Sequence, residues 1–202
     1  APFSAQVSPK SGNVEIKAGS NDAGQFLMAL DVLERAQGGR LILTLDQRDT
    51  VGEMDGVLRI TDIKLQKMPL LAELLNAISI VGLLDQLTGP GVIMNEIDAV
   101  FRMTNDQIIL QSASAIGPSM GITLDGYYNL ESKTFDMQGF FSPLYLVNGI
   151  GSILSRKGEG FIGFGFNLRG TTDRPRFSIN PLSTITPTIL RDLFRRPPPK
   201  LE

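Results

Sequence analysis

The chain contains no cysteine, no histidine and no tryptophan. Without cysteine there are no disulfides, no zinc–thiolate sites and no thiol nucleophile. Without histidine the usual general base and the commonest neutral metal ligand are missing, so a Ser-His-Asp triad and an H-E-x-x-H zinc site are both impossible. Net charge is also scarce. Nineteen basic residues meet twenty-one acidic ones, for a formal charge of −2, which offers no basic stripe to nucleic acid. Residues 1–10 lack the charged-then-apolar pattern of a secretory signal. The start reads as a boundary inside a longer protein, and Leu201-Glu202 as an appended scar.

What is present is alternation. Phe3, Ala5 and Val7 alternate with polar residues, as do Val14, Ile16 and Ala18, then Leu41, Leu43 and Leu45. Leu58 and Ile60 are in one phase and Ile63 and Leu65 in the other, which predicts a bulge near Thr61-Asp62. Ile93, Ile97, Ala99, Phe101 and Met103 oppose Glu96, Asp98 and Arg102, and Met120, Ile122, Leu124 and Tyr128 oppose Thr123 and Asp125. Phe135, Met137 and Phe141 oppose Asp136 and Gln138. Ile162, Phe164, Phe166 and Leu168 oppose glycines, Asn167 and Arg169, and Phe177 and Ile179 oppose Arg176 and Ser178. A period of two repeated this often predicts half-buried antiparallel strands. Asn105-Asp106, Gly117-Pro118 and Glu131-Ser132-Lys133 read as tight connections, so 92–141 is expected to be a four-strand meander.

Four stretches break the alternation. Residues 22–35 place Phe26, Leu27, Leu30 and Leu33 at helical spacing, with Ser20 or Asn21 as the cap and Gly38-Gly39 as the stop. Residues 68–87 form the most apolar run, carrying Leu70, Leu71, Leu74, Leu75, Ile78, Val81 and Leu84. Its length suits a membrane span, but Glu73, Asp85, Asn76 and Gln86 lie within it, and a central charge costs about 2.5–3.5 kcal/mol on insertion. Two short helices broken near 79–82 and lying against the sheet are expected, as a capping element or a membrane-touching one. Residues 143–155 and 183–195 are the other two helical stretches. The expected fold is α+β: a strongly curved, mostly antiparallel, groove-like sheet with about four helices packed on it. It forms one domain over 1–194, followed by a proline-rich tail over 195–202.

Two motifs carry little chemistry. Gly158-x-Gly160-x-x-Gly163 matches a dinucleotide fingerprint, but that motif needs a helix after it and here a strand pattern follows. Asp46, Asp49, Glu53 and Asp55 cluster around a loop, yet Arg48 and Thr50 occupy the third and fifth positions of a calcium loop. A solvated hairpin is the expected reading. No catalytic residue, metal site or cofactor is assigned.

The order of signals in the C-terminal half has a family likeness. A leucine-rich helix leads to Leu87-Thr88-Gly89-Pro90-Gly91, and then to Ala115-Ile116-Gly117-Pro118 and Leu124-Asp125-Gly126-Tyr127. Phe135-Asp136-Met137-Gln138-Gly139, Pro143-Leu144-Tyr145-Leu146 and Asn180-Pro181-Leu182-Ser183 follow in that order. Upstream, Asn21-Asp22-Ala23-Gly24 and Gly38-Gly39-Arg40-Leu41 fit the segment before it. The series, over roughly 20–194, resembles the AsmA-like C-terminal domain of the AsmA/YhdP/TamB-like group of bacterial envelope proteins. That resemblance implies an inner-membrane anchor outside this chain, a periplasmic location, and a groove lined with apolar residues through which phospholipid moves toward the outer membrane. It implies no catalytic residues. Ile122, Leu124, Phe135, Met137, Phe141, Ile162, Phe164 and Phe166 are the residues expected to touch acyl chains if the groove is open. A structural or protein-interaction module that caps a longer groove, with envelope membrane proteins as partners, is the competing expectation.

Overall fold

The computed structural model describes residues 3–10, 13–30, 32–143, 163–180 and 196–201. Ten strands form one open antiparallel sheet whose spatial order is the chain order. They are β1 (Phe3–Lys10), β2 (Asn13–Ser20), β3 (Arg35–Gln47), β4 (Met54–Gln66), β5 (Val92–Met103), β6 (Gln107–Ile116), β7 (Met120–Asn129), β8 (Thr134–Pro143), β9 (Phe164–Thr171) and β10 (Pro175–Asn180). Three helices accompany them among the described residues: α1 (Ala23–Ala29), α2 (Pro69–Ile78) and α3 (Val81–Thr88). The stretch expected to be a meander is β5 to β8. The helices expected over 143–155 and 183–195 lie outside the described residues, except that Pro143 ends β8.

The helix expected over 22–35 is only seven residues long. It ends early because the chain from Arg35 onward pairs with β4, starting at Arg35↔Gln66, and a strand ladder offers more than further helical turns. Its cap is Asp22, whose Oδ1 accepts from the Gln25 N–H at 3.0 Å. The Ser20 hydroxyl instead accepts from the Asp22 N–H. Gly24 sets the depth of packing: a Cβ there would stand 2.7 Å from the Ala36 carbonyl carbon, so α1 rests directly on the β3 backbone. Gly38 and Gly39 do not stop the helix. They lie inside β3 with φ of +67° and +84°.

Those two glycines face Asp62 of β4, itself at φ +55°. The register passes from Arg40↔Thr61 to Gly38↔Ile63 with no residue inserted, so left-handed backbone, not a bulge, changes the phase. Ile60 and Ile63 are therefore both buried, as are Leu41 and Ala36. The switch extends into β5, where Val92 and Met94 pair with Leu65 and Ile63 and are 1% exposed. Ile93, expected to point inward with Ile97, is half exposed as a result. The inserted residue of the sheet lies in β6, at Gln111, where Phe101 pairs with Leu110 but Val100 with Ser112.

The run 68–87 folds as the expected broken pair. α2 opens on Pro69, whose fixed φ and missing N–H suit a first turn. It ends at Ser79 in the left-handed conformation, φ +62°, and α3 begins two residues later. No helix among the described residues is long and apolar enough to cross a membrane. The α2–α3 hairpin returns to its origin: the Lys67 N–H donates to the Leu87 carbonyl and Gln66 Nε2 to the Gly89 carbonyl. Leu74, Leu75, Leu83 and Leu87 pack with Ile63, Leu65, Val92 and Met94 into the core, while α2 also packs against β10.

Candidate functional site

Paired residues in an antiparallel ladder share a face, so the registers can be followed across the sheet strand by strand. One row runs Ala5, Ala18, Leu43, Leu58, Ala99, Ala113, Leu124, Gly139, Phe166 and Ile179. The neighbouring row runs Val7, Ile16, Leu45, Gly56, Phe101, Leu110, Gly126, Met137, Leu168 and Phe177. Each crosses all ten strands without a polar side chain. A third row, nearer the helices, contains Leu41, Ile60, Ile97, Ala115, Ile122, Phe141 and Phe164.

Burial divides this apolar face. Where the helices cover it, Leu41, Ile60 and Phe141 are closed off, and across β8 and β9 Met137, Phe166 and Leu168 are as well. Over β2 to β7, Ala18, Leu43, Leu58, Ala99, Ala113 and Leu124 are only half-buried, and on β1 Val7 is 66% exposed. Leu43, Leu58 and Leu124 still touch the core cluster, so this part of the face is thinly covered and not bare.

The residues singled out in the sequence therefore share a face but not an environment. Ile122, Phe141 and Phe164 stand side by side, Leu124 shares its row with Phe166, and Met137 and Phe135 continue along β8. Phe141, Met137 and Phe166 belong to closed packing, with the Phe166 and Phe177 rings edge to face at 5.7 Å between centroids. Ile122, Leu124, Phe135 and Phe164 are half-buried, and the Phe135 ring lies tilted against Tyr128 at 5.0 Å between centroids. Ile162 lies outside the described residues. On the helices, Leu74 and Leu75 are buried, and Leu70, Leu71, Ile78 and Leu84 are half-buried. Val81 opens α3.

The opposite face carries the charge. Its register places Glu15, Asp46, Asp55 and Arg102 in one row. Arg102 Nε donates to Asp55 Oδ1 at 2.7 Å and Arg48 Nη1 to Asp55 Oδ2 at 3.0 Å. Burial pushes the Asp55 carboxyl up, but the hydrogen bonds from Arg102 and Arg48 outweigh it and hold it below the usual carboxylate range. Arg59 and Asp98 pair at 2.8 Å on the same face. The acidic loop residues fall into this scheme, since Glu53 sits 3.7 Å from Arg48 and Asp49 accepts from the Asn13 amide. Among the described residues, no group of acidic side chains is arranged to hold a metal ion. Gly163 leads straight into β9, and the space its Cβ would need is taken by the Phe141 carbonyl and the Phe140 ring. No helix follows to receive a phosphate there.

The open portion of the floor was only half visible in the sequence. Alternation marked which residues share a face, but not how deeply each would be buried. The run of small side chains at Ala99, Ala113 and Ala115 was the available signal, since it leaves a dip between Leu58 and Leu124. Comparison with protein-family models, with curated proteins and with solved structures finds no match to this chain.

Proposed function

We propose that this domain is a non-catalytic lipid-binding segment, and that the partly buried apolar floor over β2 to β7 receives acyl chains. The observation that carries the reading is the pair of ten-strand rows without a polar group. Lipid sites need a continuous apolar lining with few polar groups. Over β2 to β7, five strand spacings amount to about 24 Å along the row, against about 15 Å for one acyl chain, half of a bilayer core of about 30 Å. Ala99 and Ala113, flanked by Leu58 and Leu124, supply a lane one side chain deep.

Concavity would hold a chain better than a flat floor, and one relationship supports it. The α2–α3 hairpin is rooted between β4 and β5, yet α2 packs against β10. In a flat sheet β5 and β10 lie about 24 Å apart, whereas the ten residues of α2 span about 15 Å. A sheet strongly curved toward its apolar side closes that gap. Asp55 is bridged to two guanidinium groups, which hold its carboxyl ionised, as suits a structural pair and not a general acid.

The family resemblance noted above supplies the setting: a segment of an inner-membrane-anchored periplasmic protein, conducting phospholipid between the inner and outer membranes. The second reading is a capping module of a longer groove that makes no lipid contact itself. The filled end under α2 and α3 favours it. Photoreactive residues at Ala99, Leu124 and Phe141, followed by native mass spectrometry of the purified protein, separate the two. Phospholipid adducts at Ala99 and Leu124 but not at buried Phe141 are expected for the open floor. Adducts at none of the three, with the fold intact, leave the capping module.

A further inference from the structure

Residues 196–200 cross the polar face over β7 and β8, where two side chains of the sheet hold Arg196 and a third orients one of them. Gln138 Nε2 donates to the Arg196 carbonyl at 2.7 Å, and Gln138 Oε1 accepts from the Arg196 N–H at 3.0 Å. The Arg196 guanidinium grips Asp136 with two parallel bonds of 3.1 Å, Nη1 to Oδ2 and Nη2 to Oδ1. Asp125, only 2% exposed, accepts from Gln138 Nε2 at 2.9 Å and so fixes which way the amide points. Further along, Pro199 is buried.

We propose that this face of β7 and β8 is a recognition site for an extended Arg-Pro-Pro-Pro peptide, filled in the free protein by the chain's own residues 196–199. Each element of the site answers a feature of that peptide. Proline has no N–H, so in Arg196-Pro197-Pro198-Pro199 the one backbone donor is that of Arg196, and Gln138 takes it. A side-chain amide bonded to both the N–H and the C=O of one residue reads extended backbone as a neighbouring strand does. The Asp136 carboxylate matches the planar fork of arginine and not the point charge of lysine. A run of prolines is already extended, so docking it forfeits little conformational freedom. Asp136 and Gln138 lie two apart on β8, and Asp125 is the cross-strand partner of Gln138. The reading device is therefore built into rigid sheet and stands independently of the lipid reading of the other face.

The chain has no cysteine, so Lys200→Cys provides a single point for a spin label. The label is expected to be immobilised in the otherwise unaltered chain and to become mobile in Gln138→Ala or Asp136→Asn. Asp136→Asn keeps its shape at a half-exposed position, so the test survives if loss of Gln138 beside buried Asp125 disturbs folding. A fluorescent Arg-Pro-Pro-Pro-Lys peptide is then added to the Arg196→Ala chain. Binding is expected there, lost on adding Asp136→Asn, and about tenfold or more weaker in the unaltered chain, where the site is already occupied. A label mobile from the start, a label still immobilised in both variants, or no uptake of peptide by Arg196→Ala overturns the proposal. Immobilisation that vanishes on dilution places a second copy's segment on the site and overturns the assignment to the same chain.

Discussion

The ring of Phe101 lies across the bare Cα of Gly56, its cross-strand partner, in the space where a Cβ would stand. Gly56→Ala must therefore displace the ring, and overpacking of this kind costs about 1–3 kcal/mol. A lower urea midpoint with an unchanged slope is the expected result. Gly56→Ala combined with Phe101→Ala should recover part of the loss, because the two positions share one volume. Strictly additive effects would show that the ring does not depend on the glycine.

Asp55 gives the sheet an acid-sensitive point. Its folded carboxyl titrates below the unfolded value of about 3.9. The stability it contributes is thus fully present above that value and is lost as pH falls through the lower folded one. Asp55→Asn should cost about 1 kcal/mol at pH 7, because solvent reaching the 36% exposed side chain reduces the roughly 1.5–3 kcal/mol of a hydrogen bond to a charged group. The gap between variant and parent should narrow toward pH 3. Denaturant unfolding at both pH values checks this, and a gap that stays constant would argue against the carboxylate as its source.

Ser79 ends α2 with φ +62°, a region that penalises any residue carrying a Cβ. Ser79→Gly should raise stability by about 0.5–1 kcal/mol, a net of relieved strain against a freer unfolded chain. Thermal melting reads it directly. A fall in melting temperature would mean that the serine side chain contributes more than its conformation costs.

Large and small losses should map the two halves of the apolar face. Phe166, 3% exposed and in closed packing, should cost about 3–5 kcal/mol as Phe166→Ala. Leu58, partly buried at the edge of the core, should tolerate Leu58→Glu better than a closed core position would, because a partly buried carboxylate keeps part of its hydration. That variant should fold and yet recover less co-purifying phospholipid. If Leu58→Glu unfolds the protein as readily as Phe166→Ala, the floor is closed and the lipid reading fails.

Local patterns carried most of this architecture. Leu41, Leu43 and Leu45 announced both a strand and its buried side, the turn residues at Asn105-Asp106 fixed the β5–β6 hairpin, and the break after Ile78 was visible in the polar interruptions of an apolar run. What escaped was decided by partners distant in sequence. Leu30 and Leu33 have helical spacing, but Arg35 onward had a better ladder waiting on β4. Ile93 has the right parity, but the left-handed residues at Gly38, Gly39 and Asp62 reverse the phase for strands on either side. Gln138 looked like an outward polar residue of an alternating strand. Its partner lies 58 residues away, and no periodicity spans that distance. For the candidate floor, alternation placed the residues on one face, while depth of burial followed from packing partners such as α1 on β3 and α2 on β10, which no local pattern announces.

The order of the sheet has a kinetic consequence. Every ladder joins strands that follow one another in the chain, so β-pairing never has to wait for a distant segment. Such a chain can begin at any hairpin and zip outward, with small entropy losses at each loop closure. The contact of α2 with β10 is different: it ties a helix inserted after β4 to the last strand. That docking cannot occur until the intervening strands have assembled, which makes it a late event in folding. The hairpins should gain amide-exchange protection first, and α2 should gain it together with β10.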